Sequence, residues 1–199
     1  MTRTKAPPLA LAALLSLALP ALAEGPAPLR QAQISAELYA RGLATSDPLL
    51  ILTAASLRKS LALSGATPLP LDWQAMLSAA ESLAATDPIL LAAIADLRAD
   101  TPKGVASGPV YRLAALGPGA ETEITDLTFR GGTYAEVYIE AATANLDLTI
   151  RDASGNLVCA DTDPSPIAYC GWTPAADGVF LLTIMNRGPA ETDYALMTN

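Results

Sequence analysis

The chain has 199 residues, 20 acidic against 12 basic side chains and a formal charge of −8, with no histidine anywhere. So acidic a surface lacks the basic footprint that nucleic acid or an anionic membrane demands. The missing imidazole removes the commonest general base, the commonest zinc ligand and every Ser-His or Cys-His nucleophile pair.

Residues 1–23, MTRTKAPPLALAALLSLALPALA, open with Arg3 and Lys5 and run through an apolar stretch to Ala21-Leu22-Ala23. This is the pattern of a secretory signal peptide, with cleavage expected after Ala23. The uninterrupted run Leu9–Leu19 is short for a membrane span and ends at Pro20. No cysteine follows it to carry a lipid. The expected product is an exported protein, periplasmic or extracellular, of charge −10 once Arg3 and Lys5 are gone.

From residue 30 to 100 the chain is rich in Ala and Leu, and its apolar positions recur at helical spacing. Leu38, Leu43, Leu49, Leu50, Leu52, Leu57 and Leu61 are followed by Leu77, Leu83, Leu90, Leu91, Ile94 and Leu97. Asp47-Pro48 and Asp87-Pro88 each place a capping carboxylate before a proline at the first helical position. Superposing the two pairs exposes a repeat of 40 residues: Leu43-Ala-Thr-Ser-Asp-Pro-Leu-Leu matches Leu83-Ala-Ala-Thr-Asp-Pro-Ile-Leu, and both continue to Leu-Arg. Two helical hairpins are predicted, with helices near 30–44, 48–63, 72–85 and 88–99. They read as a four-helix unit over 24–100, since two copies fall short of the three a solenoid usually needs. Tyr39 and Trp73 are expected to anchor packing, and Lys59 to sit in a polar helix end.

Composition shifts at residues 101–108, which read as a linker of small residues and proline. Beyond it the period becomes two. Ala135–Ala141 is apolar at odd positions and polar or amphipathic at Glu136, Tyr138 and Glu140, and Leu146–Asp152 alternates likewise. Both patterns predict half-buried strands. Further strands are predicted at 109–116, 121–129, 157–161, 167–173, 179–186 and 192–198, the stretch 179–186 being central because it is apolar on both parities. The fold class is therefore α+β as two segregated domains, a helical hairpin-repeat bundle followed by an antiparallel β-sandwich or jelly roll over 109–199. That second half is the acidic one: residues 106–199 hold twelve acids and four bases, whereas 24–105 hold eight and six.

Leu146-Asp-Leu-Thr-Ile-Arg-Asp, the Gly155-Asn156 turn, Gly171-Trp-Thr-Pro, Gly178-Val-Phe, Ile184-Met-Asn-Arg-Gly and the closing Tyr194-Ala-Leu together resemble the bacterial pre-peptidase C-terminal domain. The resemblance spans about residues 109–199 and implies a β-sandwich of the kind appended to secreted peptidases. The chain departs from that pattern, because the helical unit stands where a peptidase module is expected.

Cys159 and Cys170 are the only cysteines, with ten residues between them. In an exported chain this spacing favours a disulfide staple. It is not the C-x-x-C of a redox pair, and two thiolates without histidine are too few for zinc. An intermolecular bridge or free thiols are the alternatives. Asp161 and Asp163 lie between the cysteines, and with Asp147 and Asp152 they are the candidate oxygen ligands for calcium, the one cofactor this inventory leaves open. Tyr138, Tyr169 and Trp172 are candidate stacking platforms for a glycan or a partner surface. Asp161, Asp163, Tyr169 and Trp172 are expected to gather at one end of the sandwich. No phosphate loop, nucleophile elbow or metal-binding spacing appears, so no catalytic residue is assigned. The functional expectation is an exported, non-enzymatic accessory protein, with a calcium- or carbohydrate-binding sandwich second and a small hydrolase third.

Overall fold

The computed structural model describes residues 27–61, 70–100 and 110–199. The expected signal peptide, the expected linker and residues 62–69 between the two helical hairpins lie outside the described residues. Four helices, α1 (Pro28–Thr45), α2 (Pro48–Lys59), α3 (Trp73–Ala84) and α4 (Pro88–Ala99), precede eight strands. The strands are β1 (Val110–Leu116), β2 (Glu121–Phe129), β3 (Ala135–Ala141), β4 (Leu146–Arg151), β5 (Leu157–Asp161), β6 (Ile167–Trp172), β7 (Gly178–Asn186) and β8 (Thr192–Thr198). No described helix is long and apolar enough to cross a membrane.

The two Asp-Pro signals act as the sequence predicts. Oδ1 of Asp47 accepts from the backbone N–H groups of Leu49 and Leu50, and Oδ1 of Asp87 does the same for Ile89 and Leu90. Each carboxylate thus serves donors that have no partner within the helix. The tight turn between α1 and α2 brings Gly42 against Ile51, so close that a Cβ at Gly42 would meet the Ile51 side chain at 2.6 Å. Ile51, Ala54 and Ala55 of α2 share a buried cluster with Met76, Leu77, Ala80 and Ala84 of α3 and Ile94 of α4. Lys59 departs from expectation: it is buried, donates to the carbonyls of Leu97 and Asp100 at the end of α4, and lies 4.6 Å from the Trp73 ring centroid. One cation therefore gathers the C-terminus of α2, the N-terminus of α3 and the C-terminus of α4, where helix dipoles favour positive charge on the two C-termini.

The strands form two antiparallel sheets ordered β1-β8-β3-β6 and β2-β7-β4-β5. Every connection except β4 to β5 crosses from one sheet to the other, which is the arrangement of an eight-stranded jelly roll. β7, apolar on both parities, is an interior strand as predicted. The sandwich core collects Val137, Ile139, Leu146, Leu148, Ile150, Leu182, Ile184 and Leu196 from the two inner faces. Phe129, Trp172 and Phe180 close one end of it with edge-to-face and tilted ring contacts 4.9–5.8 Å apart.

Cys159 and Cys170 are bonded to one another, with their Cα atoms 6.0 Å apart. β5 is an edge of one sheet and β6 an edge of the other. The disulfide therefore staples the two layers where neither has a further strand to hold it. Reduction should lower unfolding stability by about 3 kcal/mol, the chain-entropy value for a loop of this length. Urea titration with and without reductant measures the difference.

Candidate functional site

The alternation in β3 places Val137 and Ile139 in the sandwich core, leaving Glu136, Tyr138 and Glu140 on the opposite face. That face is not wet. All three side chains are fully buried, because α1 lies across it and α2 reaches it through Arg58. Leu29, Ala32 and Ala36 of α1 form a second core with Tyr138, Ile167, Ala195 and Met197, joining the helical unit to the outer face of the β1-β8-β3-β6 sheet. The expectation that Tyr138 is an exposed stacking platform is overturned. A period of two identifies two chemical faces, and here both are covered.

Two glutamates and their partners make the junction specific. Glu140 Oε2 receives Arg58 Nη1 of α2 at 2.8 Å and the Tyr138 hydroxyl at 2.8 Å. Arg58 Nη2 also donates to the Ala32 carbonyl of α1. The pair is almost wholly removed from solvent, at 2% and 0% side-chain exposure. Contact runs through a single nitrogen and a single oxygen: Arg58 Nε and Glu140 Oε1 find no hydrogen-bond partner among the described residues. Such a contact forgoes the second bond of an Arg–carboxylate fork. Burial, reinforced by the neighbouring Glu140 carboxylate, pushes the Tyr138 hydroxyl well above its ordinary pKa, so it stays a donor.

Glu136 performs a different task. α1 has no side-chain cap of its own at Ala27. Instead Glu136 Oε1 accepts the Arg30 backbone N–H at 3.0 Å, taking the place of the missing cap and setting a carboxylate at the positive end of the helix. The Tyr169 hydroxyl donates to the same oxygen at 3.0 Å and lies 3.1 Å from the Tyr134 hydroxyl, and the Arg30 guanidinium stands 5.4 Å from the Tyr169 ring centroid. Burial and the Tyr134 and Glu136 contacts push the Tyr169 hydroxyl strongly upward.

The other sequence-selected residues converge only in part. Tyr169 is paired with Tyr138 on the helix-facing side of its sheet, whereas Trp172 is paired with Ala135 and packs into the sandwich core. The expected gathering is corrected for Trp172 alone, because neighbours three apart on a strand point to opposite faces, while Asp161 bonds to the backbone of both Asp163 and Tyr169. Asp147 is largely buried on β4 and accepts Arg187 Nε at 2.6 Å. Asp152 organises the β4–β5 hairpin, accepting from the backbone N–H groups of Ser154 and Asn156 and from Asn156 Nδ2, while Gly155 takes φ +83°. These bonds hold the Asp152 carboxyl below its usual range, the Asn156 side-chain bond first among them. Asp161 accepts from the backbone N–H of Asp163 and, at 2.9 Å, from that of Tyr169. Asp161 and Asp163 are therefore neighbours while Asp147 and Asp152 are engaged elsewhere, and among the described residues no three His, Cys, Asp or Glu side chains are grouped to hold a metal. The sequence missed Arg58, Glu136 and Glu140. The two glutamates interrupting an otherwise apolar strand were the available signal.

No family model and no curated protein matches the chain. Among solved structures, the chain is similar to PliG of Aeromonas hydrophila, a periplasmic inhibitor of g-type lysozyme, at 10% identity and TM-score 0.35, over 50% of this chain and 91% of that one. It is also similar to the pre-peptidase C-terminal domain of a Bacillus anthracis collagenase, at 11% identity and TM-score 0.29, over 42% of this chain and 91% of that one. At these scores the likenesses carry no argument, and the sandwich rests on its own strand pairing.

Two outcomes test the junction. Arg58→Ala strands a buried carboxylate and should cost about 3–5 kcal/mol, whereas the paired change Arg58→Met with Glu140→Leu should cost much less. Denaturant unfolding of the set reads the coupling. The Tyr138 shift also sets a pH dependence. Below about pH 10 the tyrosine is protonated whether the chain is folded or unfolded; above it only the unfolded chain releases the proton, so stability falls as pH rises. Tyr138→Phe should reduce that alkaline loss in melts taken from pH 8 to 11, with Tyr169 and Tyr194, also raised, supplying the remainder.

Proposed function

We propose that the protein is an exported, non-enzymatic accessory module that acts by binding another protein. One observation carries this reading. Most of the side chains singled out for chemistry or ligand stacking are hydrogen-bonded or packed inside the molecule, while large apolar side chains stand exposed on the helical unit at Leu43, Leu49, Leu83 and Ile89. Exposed apolar surface, where it is contiguous, marks interaction sites.

Export is supported by the signal-peptide pattern of residues 1–23 and by the disulfide, a bond that persists in oxidising compartments. The jelly-roll order suits a sandwich of the pre-peptidase C-terminal type, and the Leu146–Asp152, Gly171–Pro174 and Tyr194–Leu196 motifs favour it. On that reading the helical unit replaces the peptidase as the element the sandwich serves. A glycan-binding reading draws little support from side chains that are buried, hydrogen-bonded or packed in the core.

Affinity capture from exported extract tests the proposal. The wild-type chain should retain a protein in defined stoichiometry, and Leu49→Ser with Ile89→Ser should lose it without altering the melting temperature. Equal background from both chains would count against the reading.

A further inference from the structure

The helical layer meets the sandwich unevenly. Leu29, Ala32 and Ala36 of α1 pack on side chains of β3, β6 and β8. The same stripe of the helix continues to Ala40 and Leu43, which are exposed. Opposite Ala36, Ala40 and Leu43 stand Leu71, just ahead of α3, and Pro166 and Ile167 at the start of β6. Between them lies a cavity of about 320 Å³. Ala36 and Ala40 end at Cβ, so the helix leaves this space where a longer side chain would fill it. Hollows at a junction of two layers, mostly apolar and upwards of roughly 300 Å³, are where small molecules bind.

A second, wider hollow of about 620 Å³ adjoins the first. Ala142, between β3 and β4, lines both, and Pro70 of the second is the chain neighbour of Leu71 of the first. The wider hollow lies over the part of the sheet that the helices leave bare. Its floor includes Leu113, paired with Ala195 of the helix–sandwich core, and Ala115, paired with Asp193.

The charges around the two hollows have one sign. Glu37 lines the first, Glu191 and Asp193 line the second, and no Lys or Arg is among the described residues lining either. None of the three carboxylates belongs to an ion pair among the described residues, and Glu37 accepts from the neutral Gln33 amide. Residues 106–199, at a net −8, extend the same negative field and draw cations toward it. Apolar walls therefore open onto carboxylates that lack a counter-charge.

We propose that the joined hollows are a binding site for a small amphiphilic amine. Its apolar body lies between α1 and Ile167, and its ammonium group faces the carboxylates of Glu37, Glu191 and Asp193. The site is distinct from the protein-binding surface proposed above: of Leu43, Leu49, Leu83 and Ile89, only Leu43 lines it.

Titration calorimetry and methyl NMR of the chain with octylamine test the proposal. At about pH 7 this amine is a cation, as a lysine side chain is. It should saturate one site with a dissociation constant of about 1 mM or tighter, a fair value for so few atoms. Octanol should bind roughly fivefold and octanoate at least about tenfold more weakly, since neither carries the complementary charge. Methyl signals of Ala36, Ala40, Leu43 and Ile167 should shift, whereas those of Leu49 and Ile89 should stay. Ala40→Phe, at an exposed position, should fill the cavity and weaken binding about tenfold without lowering the melting temperature. Glu37→Gln, Glu191→Gln and Asp193→Asn together should reduce the amine to the affinity of the alcohol. No saturation by about 10 mM amine, octanoate binding as tightly as the amine, or a folded Ala40→Phe chain of unchanged affinity would overturn it. Shifts centred on Leu49 and Ile89 would do the same, and that readout needs only the wild-type chain.

Discussion

Two glutamates on the outward face of β3 have to be buried, and the rest of the molecule is arranged around that requirement. A carboxylate removed from water is costly unless it gains a counter-charge and hydrogen bonds. Glu140 gains the Arg58 guanidinium and the Tyr138 hydroxyl; Glu136 gains the N-terminus of α1 and the Tyr169 hydroxyl. Each bond requires that the helical unit be in place, and the unit in turn depends on the sandwich for the cap α1 does not carry. Apolar contacts between Leu29, Ala32, Ala36 and Met197 supply attraction at the same interface, while the polar contacts fix the position of the helices upon it.

This interdependence changes what the helices are for. Read as a separate bundle, they would owe the sandwich nothing. As a third layer they shield one sheet face and leave the face of the β2-β7-β4-β5 sheet open, with Val179 and Leu157 exposed on it. The disulfide works at right angles to this layering, tying the two sheets at the β5 and β6 edges. The molecule is thus held by one covalent staple inside the sandwich and one set of ionic and capping contacts between sandwich and helices.

Much of this was legible in the sequence, for local reasons. The Asp-Pro pairs state where α2 and α4 begin, because capping uses only the residues at hand. Alternation over 135–141 and 146–152 gives the strands, and an oxidised pair of cysteines follows from their spacing and the signal-peptide pattern read at the N-terminus. What stayed hidden is what covers each face. Tyr138 and Glu140 look like a polar surface until α2 delivers Arg58 from 82 residues away, a pairing no short-range pattern encodes. Lys59 misleads for the same reason, since the carbonyls it serves belong to α4. The leucine periodicity erred oppositely, by counting Leu43, Leu49 and Leu83 with the buried face. Of the aspartates offered as calcium ligands, Asp147 is engaged by Arg187, Asp152 by the Asn156 turn and Asp161 by backbone donors near the cysteines.

If the helices and the jelly roll are one body joined through β3, they must melt together. Differential scanning calorimetry of the chain is the most direct examination of that point. A single transition whose calorimetric and van't Hoff enthalpies agree is predicted. Two separable transitions, one for the helical unit and one for a sandwich that persists without it, would contradict it.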